Sequence, residues 1–89
     1  MTAPHIRWDS PTRTATHRGV LVRSPTDCLL VCEVYPVAPD DLDFLGRPVP
    51  VGSWWCCWIE GGPTLYTLCA TVDDAKATGL LNAQMKGLL

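Results

Sequence analysis

The stretch VGSWWCCWIEGG, residues 51–62, holds three of the four tryptophans and two of the five cysteines of the chain. It ends in a turn signal, Gly61-Gly62-Pro63. Aromatic and β-branched residues favour a pleated, half-buried strand, so Trp54 to Glu60 reads as a strand at the centre of a sheet. Strand periodicity of two sends Cys56 and Cys57 to opposite faces, so the paired cysteines do not form one metal or redox site. It also splits the tryptophans. Trp55, Cys57 and Ile59 share one face, expected to meet a helix, and Trp54 with Trp58 share the other, with Glu60 at the edge.

Downstream of the turn, Thr64 to Thr71 alternates as a second strand, with Tyr66, Leu68 and Ala70 on one face and Leu65, Thr67 and Cys69 on the other. Thr71-Val72-Asp73-Asp74 then has the form of a helix start. The threonine hydroxyl serves the amide three residues on, and the aspartates sit at the positive end of the helix dipole. A helix is predicted from about Val72 to Lys86, with Val72, Ala75, Gly79, Leu80, Ala83 and Gly87 on one stripe. Gly79 costs about 1 kcal/mol against alanine inside a helix, which points to close packing at that position.

Upstream, Thr14 to Arg23 reads as a strand, Ser24-Pro25-Thr26-Asp27 as a turn, and Cys28 to Tyr35 as the returning strand of a hairpin. The returning strand is apolar on both faces, as interior strands are: Cys28, Leu30, Cys32 and Val34 on one, Leu29, Val31, Glu33 and Tyr35 on the other. His5 to Trp8 alternates as a short N-terminal edge strand, followed by the turn signal Asp9-Ser10-Pro11-Thr12. Residues 36–53 carry four prolines and form a long proline-rich loop. Within it, Asp40 or Asp41 is placed to cap a single helical turn through Leu45, closed by Gly46. The fold class is α+β: one domain, residues 1–89, a four-stranded antiparallel β-meander (five-stranded if His5–Trp8 pairs) with one C-terminal α-helix on one face. One helix covers one face, so the loop, the N-terminal segment or another molecule must cover the second. Trp54 and Trp58 are expected there, under Leu42 and Phe44 of the loop or against a partner.

Composition bounds the function. An apolar share of 47% with 18% charged residues is that of a folded domain. No run approaches the roughly 18 apolar residues of a membrane span, and no secretory leader pattern opens the chain, so no membrane contact is expected and the expected setting is cytoplasmic. Thiols there are reduced, and the cysteines read as buried hydrophobes. The net charge of −2 is unevenly spread. Arg7, Arg13, Arg18 and Arg23 outweigh Asp9 in the first quarter, whereas Asp27, Glu33, Asp40, Asp41, Asp43 and Glu60 outweigh Arg47 in the middle.

Catalytic signatures are absent from the sequence: no nucleophile elbow, no phosphate-binding glycine loop and no H-E-x-x-H. Nothing local marks a cysteine as activated by His5 or His17, and the cysteine spacings are not those of zinc sites. No enzyme activity, metal or cofactor is therefore expected. The profile is that of small accessory or modulator proteins of phages and bacteria that act by binding a protein partner or a second copy of themselves. The expected interaction surface is Trp54, Trp58, Asp40, Asp41, Asp43 and Phe44, because large aromatics dominate binding hot spots. The alternative is nucleic-acid binding, with Arg7, Arg13, Arg18 and Arg23 on phosphates and Trp8 stacking a base. The acidic balance of the chain speaks against it.

Overall fold

A computed structural model describes residues 3–10 and 16–89. Five strands and one helix follow in order: β1 (His5–Asp9), β2 (His17–Ser24), β3 (Asp27–Pro36), β4 (Trp54–Trp58), β5 (Leu65–Cys69) and α1 (Val72–Met85). The strands form one antiparallel sheet in the order β1-β2-β3-β4-β5, and α1 packs across one face of it. The short N-terminal segment is thus a full fifth strand, pairing Trp8 with Gly19 and Ile6 with Leu21. Thr14 and Ala15, expected at the start of β2, and the second half of the Pro11-Thr12 turn lie outside the described residues. Among the described residues, no helix is long and apolar enough to cross a membrane.

The start of α1 is built as its sequence implies. Thr71 is extended, and its hydroxyl accepts a 3.0 Å hydrogen bond from the Asp74 amide, with Asp73 and Asp74 in the first turn. The buried stripe of α1 is Ala75, Gly79 and Ala83, small enough for the helix axis to come close to the sheet. Leu80, Leu81 and Met85 remain exposed.

Two findings correct the expected faces. First, α1 lies on the side of Trp54, Cys56 and Trp58, not on the side of Trp55, Cys57 and Ile59. Trp58 is 1% exposed in a cluster with Leu21, Val31, Cys32 and Ala83, and its indole N–H donates to the Glu60 carbonyl at 2.9 Å. Trp54 packs beside Val34, Cys56, Cys69 and Ala75. The reason is the link between β5 and α1. Only Ala70 and Thr71 separate Cys69 from the helix, so α1 lands on the face to which Cys69 points, and Cys69 is the register partner of Trp54.

Second, a β-bulge interrupts β3. Gly19 pairs with Cys32 but Val20 with Leu30, which leaves Val31 without a partner on β2. An extra residue on one strand reverses the alternation beyond it. Cys28 and Cys32, expected on one face, are therefore on opposite faces, Cys28 exposed and Cys32 buried. The bulged Val31 carbonyl accepts the amides of Ile59 at 2.8 Å and Glu60 at 3.2 Å, where the chain leaves β4. Both Val31 and Cys32 thereby enter the core.

Candidate functional site

The face away from α1 carries a row of register partners, Tyr35, Trp55 and Leu68, with Glu33, Cys57 and Tyr66 in the next row. The loop between β3 and β4 rises beside it. That loop is not a helical turn, as its aspartates suggested, but a miniature hairpin. Leu42 bridges Pro48, the Asp43 amide donates to the Arg47 carbonyl at 2.8 Å, and the Val49 amide donates to the Asp41 carbonyl at 3.2 Å. The helical turn loses because the Asp43 carboxylate bonds forward instead. Its Oδ1 accepts the amides of Leu45 and Arg47, both at 2.9 Å, and its Oδ2 meets the Arg47 guanidinium at 3.2 Å. Gly46 closes the tip at φ 78°, a conformation side chains disfavour.

Asp41 ties this hairpin to the sheet. Its Oδ2 accepts the Ala38 amide at 2.8 Å and the Trp55 indole N–H at 3.0 Å. These two donors, the amide first, hold the Asp41 carboxyl below its ordinary range. The Asp43 carboxyl is also lowered, chiefly by the Arg47 amide. Both side chains are therefore anionic at neutral pH and already engaged in shaping the loop. Val37 and Val49 are buried under it, yet Phe44 at its tip is 95% exposed.

Between hairpin and sheet lies a cleft of about 580 Å³. Tyr35, Trp55, Tyr66 and Leu68 form its floor, and Asp41, Leu42, Asp43 and Phe44 its rim. Trp55 and Tyr66 meet edge to face, with ring centroids 6.2 Å apart. Burial pushes the Tyr35 phenol up to about 12, helped by the neighbouring Cys57, Tyr66, Glu33 and Asp41. Burial likewise raises the Cys57 thiol, an effect that the nearby Tyr66 and Tyr35 hydroxyls partly offset. The cleft thus offers neutral aromatic surface beside two fixed carboxylates.

Of the expected interaction residues, the structure brings Asp41, Asp43 and Phe44 together at this cleft and leaves Asp40 exposed on the same loop. Trp54 and Trp58 are on the other side of the sheet, Trp58 in the core and Trp54 half-buried against it. Trp55, Tyr35, Tyr66, Leu68 and Leu42 complete the site and were not among the expected residues. No sequence signal singled them out: the faces of β5, and hence of β4, follow from the two-residue link before α1, which is set by where β5 ends.

The alternative nucleic-acid residues are dispersed. Trp8 packs into both core clusters and lies beneath Lys76, with the ammonium 5.7 Å from its ring centroid. Arg7 pairs with Asp9 at 3.0 Å and Arg23 with Asp27 at 3.1 Å. Arg18 is exposed between its register partners Asp9 and Glu33. Arg13 lies outside the described residues. Neither histidine approaches the cleft: His5 bonds the Ala3 carbonyl, and His17 packs on Trp54 with ring centroids 5.9 Å apart.

Among the described residues, no three side chains of metal-ligating type gather together. Burial raises the Cys32 thiol to about 12 and the Cys56 thiol to about 11, so both stay protonated at neutral pH. In the unfolded chain the same thiols ionise near 9.0. The native state then holds more protons than the unfolded one above that pH, so stability falls as pH rises from about 9 toward 11. The expected slope is about 1.4 kcal/mol per pH unit for each thiol. Urea denaturation at pH 8 and pH 10 checks this, and a Cys32→Ala, Cys56→Ala double variant should lose the share of these two thiols and keep that of Cys57 and Tyr35.

Comparison of the chain with protein-family models, with curated proteins and with solved structures found no match.

Proposed function

We propose that this protein is a non-enzymatic binding module that takes a short segment of a partner protein in the cleft between the β3–β4 hairpin and the sheet. The observation that carries this reading is Phe44, 95% exposed on a hairpin tip held by five hydrogen bonds to the carboxylates of Asp41 and Asp43. A large aromatic carried on a backbone already fixed by hydrogen bonds leaves little loop freedom to be lost on binding, which favours a contact residue. Leu42 and Tyr66 extend the apolar surface around it, both largely exposed. The anionic Asp41 and Asp43, with Asp40 nearby, select a segment that combines an apolar side chain with a basic one. Within the fold, Arg7 and Arg23 are paired with carboxylates and Trp8 packs against the core clusters, which supports the protein-binding reading over the nucleic-acid one.

Panning a displayed library of short peptides against the purified protein tests this. Enrichment of apolar sequences bearing Lys or Arg is expected, with binding weakened by about 2 kcal/mol, roughly thirtyfold, in Phe44→Ala. Stability of Phe44→Ala should stay within about 0.5 kcal/mol of the parent, because the ring contacts solvent. Enrichment that is equal for the parent and for Phe44→Ala would remove the cleft from consideration.

A further inference from the structure

The two edges of the sheet differ in kind. β1 is guarded: Pro4 precedes it, and Arg7 and Asp9 form an ion pair on it. Charge and proline on an edge are the usual protection against strand addition. β5 has neither. Its sequence, LYTLC, is uncharged, free of glycine and proline, and paired with β4 in unbroken register. Among the described residues nothing pairs with its outer side. Leu65 is 53% and Tyr66 61% exposed, and Thr67 and Leu68 are also exposed.

We infer that β5 is a self-association edge, at which a second copy of this chain adds its own β5 antiparallel across a two-fold axis at Thr67. That register sets Tyr66 opposite Leu68 of the second copy, Leu65 opposite Cys69, and Thr67 opposite Thr67. Every pair is uncharged, and aromatic-aliphatic and Thr-Thr pairs are favourable across strands. No like charges oppose one another.

The helix supports the same axis. Thr78 contacts Cys69 at 3.6 Å, which fixes the side of α1 that leans toward β5. Leu81 and Met85 follow Thr78 at three and seven residues along that side, exposed by 53% and 75%. α1 runs antiparallel to β5, with Ala75 against Cys69 and Ala83 against Trp58, the partner of Leu65. A two-fold axis normal to the sheet therefore sets the two helices antiparallel on one face. The acidic start of each, Asp73 and Asp74, then lies toward the Lys86 end of the other. Leu65, Tyr66, Leu68, Leu81 and Met85, between 42% and 75% exposed, supply the apolar area of this two-fold contact, and the β5–β5 backbone pairing adds to it. A specific interface needs on the order of 1,000 Å² in total.

Tyr66 and Leu68 border both the cleft and this edge, whereas Phe44 belongs to the cleft alone and Thr67 to the edge alone, so variants at those two positions separate the inference from the peptide-binding reading. Sedimentation velocity at tens of micromolar should give twice the protomer mass for the parent and for Phe44→Ala. Thr67→Lys, which sets two ammonium groups face to face, should give a monomer with an unchanged circular-dichroism spectrum. A second variant reads the register directly. Opposed α-carbons in an antiparallel pair are about 4.5–5.5 Å apart, within disulfide reach. Thr67→Cys in a Cys28→Ser background should therefore form a disulfide-linked dimer under mild oxidation, and Arg7→Cys in the same background should not. A monomeric parent, a dimer that persists in Thr67→Lys, or a Thr67→Cys protein that fails to cross-link would each overturn the inference.

Discussion

Trp58→Ala is expected to destabilise the protein by about 3–5 kcal/mol, the range for truncating a buried tryptophan. A domain of this size holds roughly 4–13 kcal/mol in total, so the variant loses a large share of its folded population. The size of the effect follows from position. Trp58 is 1% exposed and joins β2, β3 and the end of α1 through Leu21, Val31, Cys32 and Ala83. Its indole N–H is satisfied by the Glu60 carbonyl, and Lys86 sits 5.9 Å from the ring centroid on the helix side. Alanine leaves a cavity that these elements cannot fill without shifting. Trp58→Phe keeps one ring but not the indole hydrogen bond, and about 1–2 kcal/mol is expected to be lost. Urea denaturation with Phe44→Ala beside them makes the contrast. The exposed aromatic should be nearly neutral for stability, and the buried one should be decisive for it.

Gly19→Ala should destabilise by about 2–3 kcal/mol, the upper part of the range for overpacking. Removing a glycine from a strand ordinarily stabilises, since alanine restricts the unfolded chain by about 0.4–1 kcal/mol. Here the sign reverses. A Cβ at position 19 would lie 2.5 Å from the Cys32 sulfur and 2.9 Å from the Trp8 ring. Trp8 and Cys32 fill the space between the sheet at Gly19 and the helix at Gly79, so a methyl group at position 19 must push one or both of them toward the helix. A double-mutant cycle with Cys32→Ala isolates the sulfur's share, and the two changes together should cost less than their sum by about 1 kcal/mol. Gly79→Ala meets the same two side chains at 3.1 and 3.2 Å. There the helix-propensity gain of about 1 kcal/mol offsets the milder crowding, and a change within about 1 kcal/mol of zero is expected. Thermal denaturation of the two glycine variants side by side reads this difference.

Much of the architecture was legible in the residues. Four strands, the N-terminal edge strand, the threonine cap and the small-residue stripe of α1 all depend on local periodicity and on turn chemistry within a few residues. The loop was legible only in part. Its prolines excluded a long helix or strand, but whether an aspartate bonds forward to make a helical turn or a hairpin tip depends on the amides of Leu45 and Arg47. The cleft was half legible. Asp41, Asp43 and Phe44 stand out on a loop, whereas Trp55 and Tyr66 have the same local sequence signature as core residues.

By itself the sequence determined that Trp54, Cys56 and Trp58 share one face of a strand and that Trp55 and Cys57 share the other. A side-chain period of two follows from the backbone alone. Only the tertiary structure decided which of those faces lies beneath the helix. That depends on where β5 ends, on the two residues that lead into α1, and on the bulge at Val31 that lets Cys32 and Trp58 share the core. These are relations between elements distant in sequence, and no periodicity within one of them contains the answer. The same relations sent Trp58 inward and left Trp55, under Asp41 and beside Phe44, to form the floor of the cleft.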